Sequence, residues 1–218
     1  MPSLAATAPR PPHAPRGRPP RPGLREEVLA AAEKIFTERD YHEVQMDDVA
    51  RASDVGKGTL YRYFRSKREL YLAVMFEGIG RLRGEIETVA EADDPPARKL
   101  ERIVGCTLGH FWDRGRFFTL IHQNEHKPDR DLREWFRHRR RLVRLVQQAF
   151  DEAIAAGQVR AVDSRIATEM LFGMMRGVNR YRTRDDRLET LVAAIVRMLM
   201  EGVGTPAGRR IVRRRGEH

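Results

Sequence analysis

Between Arg51 and Arg68 the chain carries six basic side chains, Arg51, Lys57, Arg62, Arg65, Lys67 and Arg68, against one acid, Asp54. Thr59, Tyr61 and Tyr63 are interleaved with them. Cations, hydroxyls and aromatic rings mixed on a short segment are suited to bonding phosphate and reaching base edges of a duplex. The preceding residues 24–50 are acid-rich, so the positive potential is focused rather than spread. Two other groups could do chemistry. His122 and His126 lie four apart with His110 upstream, a spacing open to a metal, but no acid or cysteine completes an evident ligand set. From Arg130 to Arg144 run seven arginines and two acids, readable as a solvated helix face or as an anion site.

Such side chains need a scaffold, and the segment 45–64 reads as a helix-turn-helix. Ala50 is small where two helices would cross. Ser53-Asp54 can make the turn, because Asp tolerates left-handed backbone. Val49, Val55, Leu60 and Phe64 are spaced to lock the two helices together. The second helix starts near Gly56 and leaves Lys57, Thr59, Tyr61, Arg62 and Tyr63 towards a groove.

The rest of the chain is also predicted helical, and the fold class is all-α. Leu24, Val28, Ala31, Ala32, Ile35 and Phe36 outline a helix over about 24–39. Leu70, Val74, Leu82, Ile86 and Val89 outline one over about 67–90, long enough to join two domains. Asp93-Asp94-Pro95-Pro96 is a stop. Helical stretches follow near 97–112, 115–126, 130–156, 163–181 and 187–201. The division is a Pro/Arg-rich disordered arm at 1–21, a helix-turn-helix domain at 22–82, a ligand-binding and dimerisation domain at 83–201, and a disordered basic tail at 202–218.

The net charge is +10, and each tail supplies +4 of it, so the global value says less than the local patch. No stretch approaches the ~20 apolar residues of a membrane helix. The N-terminus has no secretory apolar run, and Cys106 is the only cysteine. The reading is a cytoplasmic protein with no membrane partner. No nucleophile elbow, phosphate loop with Lys-Ser/Thr or zinc-type cysteine pair is present, so neither enzyme chemistry nor a cofactor or metal is expected. Cys106, within an apolar helical stretch, reads as an inert thiol.

The run Gly58-Thr59-Leu60-Tyr61-Arg62-Tyr63-Phe64-Arg65-Ser66-Lys67-Arg68-Glu69-Leu70 resembles the recognition-helix signature of the TetR family of transcriptional regulators. Ala31-Ala32 with Ile35-Phe36 resembles that family's first helix, and Tyr41 with Asp48-Val49-Ala50 its entry to the second. The resemblance implies a sequence-specific DNA-binding regulator, a ligand-responsive repressor acting as a homodimer on a palindromic operator in double-stranded DNA. Lys57, Gly58, Thr59, Tyr61, Arg62 and Tyr63 would lie against DNA. Gln45 would cap the second helix beside a phosphate, and Lys67 would meet backbone phosphate. Asp40 and Asp54 stand where the family usually has Gly, and Gln45 stands where Thr is usual.

Helices near 163–181 and 187–201 would pair with a second copy, with Gly173 and Gly177 permitting close approach. An unidentified small-molecule effector would occupy a cavity among Trp112, Phe117, Phe118, Leu120, His122, Trp135, Phe136, Phe172 and Met175, each of which could equally be ordinary core. A helical small-molecule carrier, an activator without repressor activity and an enzyme with a histidine site are the alternatives the residues leave open.

Overall fold

A computed structural model of the chain describes residues 21–112 and 130–201. Every regular element among them is a helix: α1 (Leu24–Glu38), α2 (Met46–Ala52), α3 (Lys57–Tyr63), α4 (Lys67–Glu91), α5 (Pro96–Trp112), α6 (Arg130–Ala155), α7 (Ser164–Tyr181) and α8 (Leu188–Glu201). The predicted all-α class holds. The helix expected at 115–126, the two tails, and the residues Phe117, Phe118, Leu120, His122 and His126 lie outside the described residues.

Local chemistry accounts for the ends of most helices. Ser66 caps α4 by accepting from the Glu69 N–H at 3.1 Å, and Asp163 caps α7 by accepting from the Ile166 N–H at 3.0 Å. Pro96 opens α5, where its missing N–H costs nothing. After α6, Gly157 takes φ +67°, and the N–H groups of Gln158 and Val159 both return to the Ala153 carbonyl. The end of α1 differs from expectation. Asp40 does not stand in for a left-handed glycine, since Asp54 alone among described non-glycine residues has positive φ, at 51°. Instead α1 stops at an extended Arg39, and the Asp40 N–H donates to the Glu43 carboxylate at 3.0 Å.

The head comprises α1, α2, α3 and the start of α4 around a small core. Val28, Ala32, Phe36, Val44, Val49, Leu60, Phe64 and Leu70 are almost completely buried in it. An aromatic cluster closes one end: Tyr71 meets Phe36 at 4.9 Å and Tyr41 at 5.0 Å, both edge to face. From there α4 runs on as a shaft into the body, where it packs on α5 and α6. The Arg81 guanidinium of that shaft reaches back to both Glu33 carboxylate oxygens of α1, at 2.7 and 2.8 Å. Head and shaft are thereby joined by packing and by a forked ion pair. Gly78 faces α5, where a β-carbon would lie in ordinary contact with His110 Nε2, at 3.4 Å.

In the body α5 and α6 pack on α4, α7 packs on α6 and α5, and α8 packs mainly on α5. The apolar coating is uneven. Ile195 is the sole fully buried residue of α8, whereas Leu191, Val192, Val196 and Leu199 are half-buried. On the neighbouring α7, Ile166 and Met170 are exposed, Met170 at 64%.

Candidate nucleic-acid interface and effector cavity

α3 is only seven residues long, so its periodicity sorts its side chains strictly. Leu60 and Phe64, four apart, are buried and anchor it to the head. Lys57, Gly58, Tyr61 and Arg62 stand on the other side and are exposed, Tyr61 at 41%. Arg65, not singled out as a site residue, is also exposed just beyond the end of α3. Nothing lies within 4 Å of where a Gly58 β-carbon would point, so the fold itself does not require glycine there.

Two residues expected to face DNA sit differently. Tyr63 shares a side with Leu60, three positions away, so its ring packs on the core and its hydroxyl is buried without a hydrogen-bond partner. Thr59 is half-buried. Lys67 is turned to internal use: its ammonium donates to the Tyr41 and Val44 carbonyls at 2.8 Å and lies 4.5 Å over the Tyr41 ring. That ammonium ties the start of α4 to the 41–44 loop. Gln45 is exposed at the N-cap of α2, and the capping carboxylate is that of Asp48, accepting from the Gln45 N–H at 3.0 Å. This backbone bond, with Arg39 and Arg51 on the same carboxylate, holds the Asp48 pKa below the usual carboxylate range.

The reading face also carries an acid whose place at a helix start explains only part of its role. Asp47 lies 2.9 Å from Lys57 Nζ, and its hydrogen bond raises the lysine pKa. Both side chains are more than half exposed, so the pair is weak in water. Beside a polyanion, however, the carboxylate competes with phosphate for the same ammonium. Asp47→Asn is expected to tighten duplex binding by about two- to fivefold and to steepen the salt dependence by about one counterion. Fluorescence anisotropy across a salt series measures both, and identical curves for the two proteins would contradict this role.

In the body, α4–α7 line a partly open cavity of about 820 Å³. Its apolar wall includes Leu82, Leu108, Phe111, Trp135, Phe172 and Met175. Of the residues expected there, Trp135, Phe172 and Met175 do line it. Trp112 does not: it ends α5, its ring lies 4.1 Å beneath the Arg182 guanidinium, and its carbonyl accepts from the same arginine. Phe136 does not either, being 38% exposed, because adjacent residues lie about a third of a turn apart and Trp135 takes the inward position. Gly173 and Gly177 border the cavity, and no atom lies within 4 Å of where a β-carbon on either would sit. Within the chain they therefore open space rather than seat a helix.

The polar wall goes beyond the expectations from sequence. Arg139 of α6 and Arg176 and Arg180 of α7 border the cavity, and Glu169, bonded to Arg139, is the one carboxylate among the described lining residues. Arg176 and Arg180 are four apart on the helix side that also carries Glu169 and Asn179, and that polar spacing is the signal that reveals them. His110, a candidate ligand residue by its spacing, is buried between α4 and α5 edge-on to Phe111. No group of three His, Cys, Asp or Glu side chains suited to a metal occurs among the described residues. Burial raises the Cys106 pKa, in keeping with an unreactive thiol.

The family model for bacterial regulatory proteins of the TetR family matches residues 28–74, covering α1 to the first turns of α4. A second model, the tetracyclin repressor-like C-terminal domain, matches residues 93–203. The chain belongs to the TetR family. It is therefore a DNA-binding transcriptional regulator, and the TetR-type head and body correspond to the two halves joined by α4. The HTH-type transcriptional activator FasR of Mycolicibacterium smegmatis is 31% identical over 107 residues, about half (49%) of each chain. The fatty acid metabolism regulator protein of Bacillus subtilis is 23% identical over 185 residues, 81% of this TetR-family chain and 94% of that one. The crystal structure of the transcriptional regulator FadR from Bacillus subtilis in complex with stearoyl-CoA superposes with a TM-score of 0.69 at 18% identity, covering 82% and 98% of the two chains. That likeness establishes the fold. No helix among the described residues is long and apolar enough to cross a membrane.

Proposed function

We propose that this chain is a homodimeric, effector-responsive repressor that places two copies of α3 in successive major grooves of a palindromic operator. The observation that carries this reading is the division of α3. Lys57, Gly58, Tyr61 and Arg62 stand clear of the fold while Leu60 and Phe64 root the helix beneath them. A rigid exposed rod of this kind reads a groove, and one short helix rarely suffices alone. The second copy docks through α7 and α8, whose incompletely covered Leu191, Val192, Val196 and Leu199 and exposed Ile166 and Met170 leave apolar surface for it. Lys57 and Arg62 meet phosphate or base edges, and Gln45 stands exposed at the start of α2.

The effector is an amphipathic anion held in the α4–α7 cavity. Apolar walls suit an acyl chain, and the Arg139, Arg176 and Arg180 guanidiniums, set against Glu169, suit a negative head. Because a structural neighbour is described in complex with stearoyl-CoA, an acyl thioester of coenzyme A is the class we assign. Binding shifts the spacing of the two heads only if it favours one spacing over the other. α4, which borders the cavity through Ile79 and Leu82 and carries Arg81 to α1, is the element through which that preference passes.

Footprinting of the purified protein on the DNA upstream of its own coding region tests the whole reading. A protected palindrome that is released by micromolar long-chain acyl-CoA, and not by coenzyme A alone, is the expected result. Absence of any protected duplex would overturn it. The M. smegmatis relative is an activator, so activation is the second reading of the direction of control. In vitro transcription from the protected promoter separates the two, since a repressor lowers and an activator raises the transcript.

A further inference from the structure

The open side of the cavity and the uncovered side of α7 meet along one edge of that helix. Ile166, Met170, Gly173, Gly177 and Tyr181 follow one another at steps of four, three, four and four residues, so they form a single stripe. Ile166, Met170 and Tyr181 stand out of the fold, Tyr181 at 78% exposure. Gly173, Gly177 and Tyr181 of the same stripe also line the cavity. On α7 the lining therefore runs from the buried Met175, past Arg176 and Arg180, round to the solvent-facing edge. The described lining residues of α4, α5 and α6 are all buried or half-buried, and the exposed ones are Arg176, Arg180 and Tyr181. The cavity thus opens along the C-terminal half of α7.

A wall missing from one chain can come from another. A two-fold axis sets the same patch of each copy together, so a copy docked on Ile166 and Met170 also lies over Gly173, Gly177 and Tyr181, which continue the stripe. Nothing in the chain lies within 4 Å of where a β-carbon on either glycine would sit, so this part of the edge is free to receive it. We propose that the second copy completes the effector site, its α7 closing the open side over an acyl chain laid against Gly173 and Gly177. This rests on the readings of the α4–α7 cavity as the effector site and of α7 and α8 as the dimer interface. A ligand held by two chains holds those chains to each other, so occupancy and dimerisation strengthen one another by the same factor. The effector then senses the relative position of the two bodies at the seam between them.

Lauroyl-CoA titrated into the full-length protein by calorimetry, with the mass of the same samples from light scattering, tests this. Met170→Asp and Met198→Asp are the informative variants, because Met170 does not line the cavity and no residue of α8 does. Each monomer is expected to bind lauroyl-CoA about tenfold more weakly than the parent dimer, the loss expected when roughly 50–60 Å² of apolar ligand surface stays in water. Dilution of the parent gives the reciprocal measurement and needs no variant. Saturating lauroyl-CoA should tighten the dimer by about a hundredfold, tenfold for each of two sites. Monomers that bind as the parent does, or a dimer indifferent to lauroyl-CoA, would overturn the inference and leave the effector cavity standing. Weakening in Met170→Asp alone would trace to its charge near an anionic ligand and would overturn it equally. Dimers that persist in both variants would remove the interface reading and this inference together. No binding of lauroyl-CoA by the parent would remove the cavity reading, and the inference with it.

Discussion

Tyr61→Ala is expected to weaken operator binding by about ten- to a hundredfold, the range for losing a good groove contact. It should shift the melting temperature by no more than about 2 °C, as surface substitutions do. The two expectations come from one fact. Tyr61 is 41% exposed on α3, while the neighbouring Leu60 that roots the helix is fully buried. Leu60→Ala should therefore do the opposite and unfold the head. Lys57→Ala offers a useful contrast, because an ammonium that meets phosphate carries no sequence information. Its loss should weaken specific and non-specific duplexes alike and lower the salt slope by about one. Electrophoretic mobility shift and anisotropy titrations on operator and scrambled duplexes measure all of these. If Tyr61→Ala binds both duplexes as the parent does, α3 is not the reading element.

Met170→Asp is expected to convert the dimer into a monomer and to reduce operator affinity by about a hundred- to ten-thousandfold at a fixed protein concentration. The size follows from bivalence: two heads on one rigid assembly share a single encounter, and that gain vanishes when they part. A carboxylate in the middle of an apolar interface must be dehydrated without a partner, which association cannot offset. The folded monomer should survive, since Met170 is 64% exposed in the single chain and removing it opens no hole there. Met198→Asp on α8, at 48% exposure, is the matched test from the second helix. Light scattering coupled to size-exclusion chromatography gives the mass directly. Dimers that persist in both variants, with operator binding intact, would show that α7 and α8 are not the interface.

The head is largely legible in the chain because its constraints are local. The helix-turn-helix occupies about twenty residues, and each of its requirements is a residue type at a fixed offset. Ala50, Leu60 and Phe64 are buried as their spacing demands, and Asp54 adopts the left-handed turn that its side chain tolerates. Where structure and sequence disagree in the head, a second element is involved. The position of Lys67 at the start of α4 points to phosphate, yet three carbonyls of the 41–44 loop, some 25 residues upstream, surround its ammonium. Asp47 looks like a helix-start acid, and only the closure of α2 on α3 brings it to Lys57.

The cavity is less legible, for a related reason. Large aromatics mark it in the sequence, but aromatic type does not separate Trp135 from Phe136; the stripe that Trp135 shares with Leu142, Val146, Ala149 and Phe150 on α6 does. The arginine wall comes from two helices at once.

Composition and periodicity were sufficient for the all-helical class and the placement of the reading helix, and the resemblance of the Gly58–Leu70 run to a known signature was sufficient for the family, since all of these depend on neighbours within a few residues. The pairing of Asp47 with Lys57, the capture of Lys67 and the chemistry of the cavity wall were decided by packing. They join side chains distant in the chain, and no short-range pattern records which of those will meet.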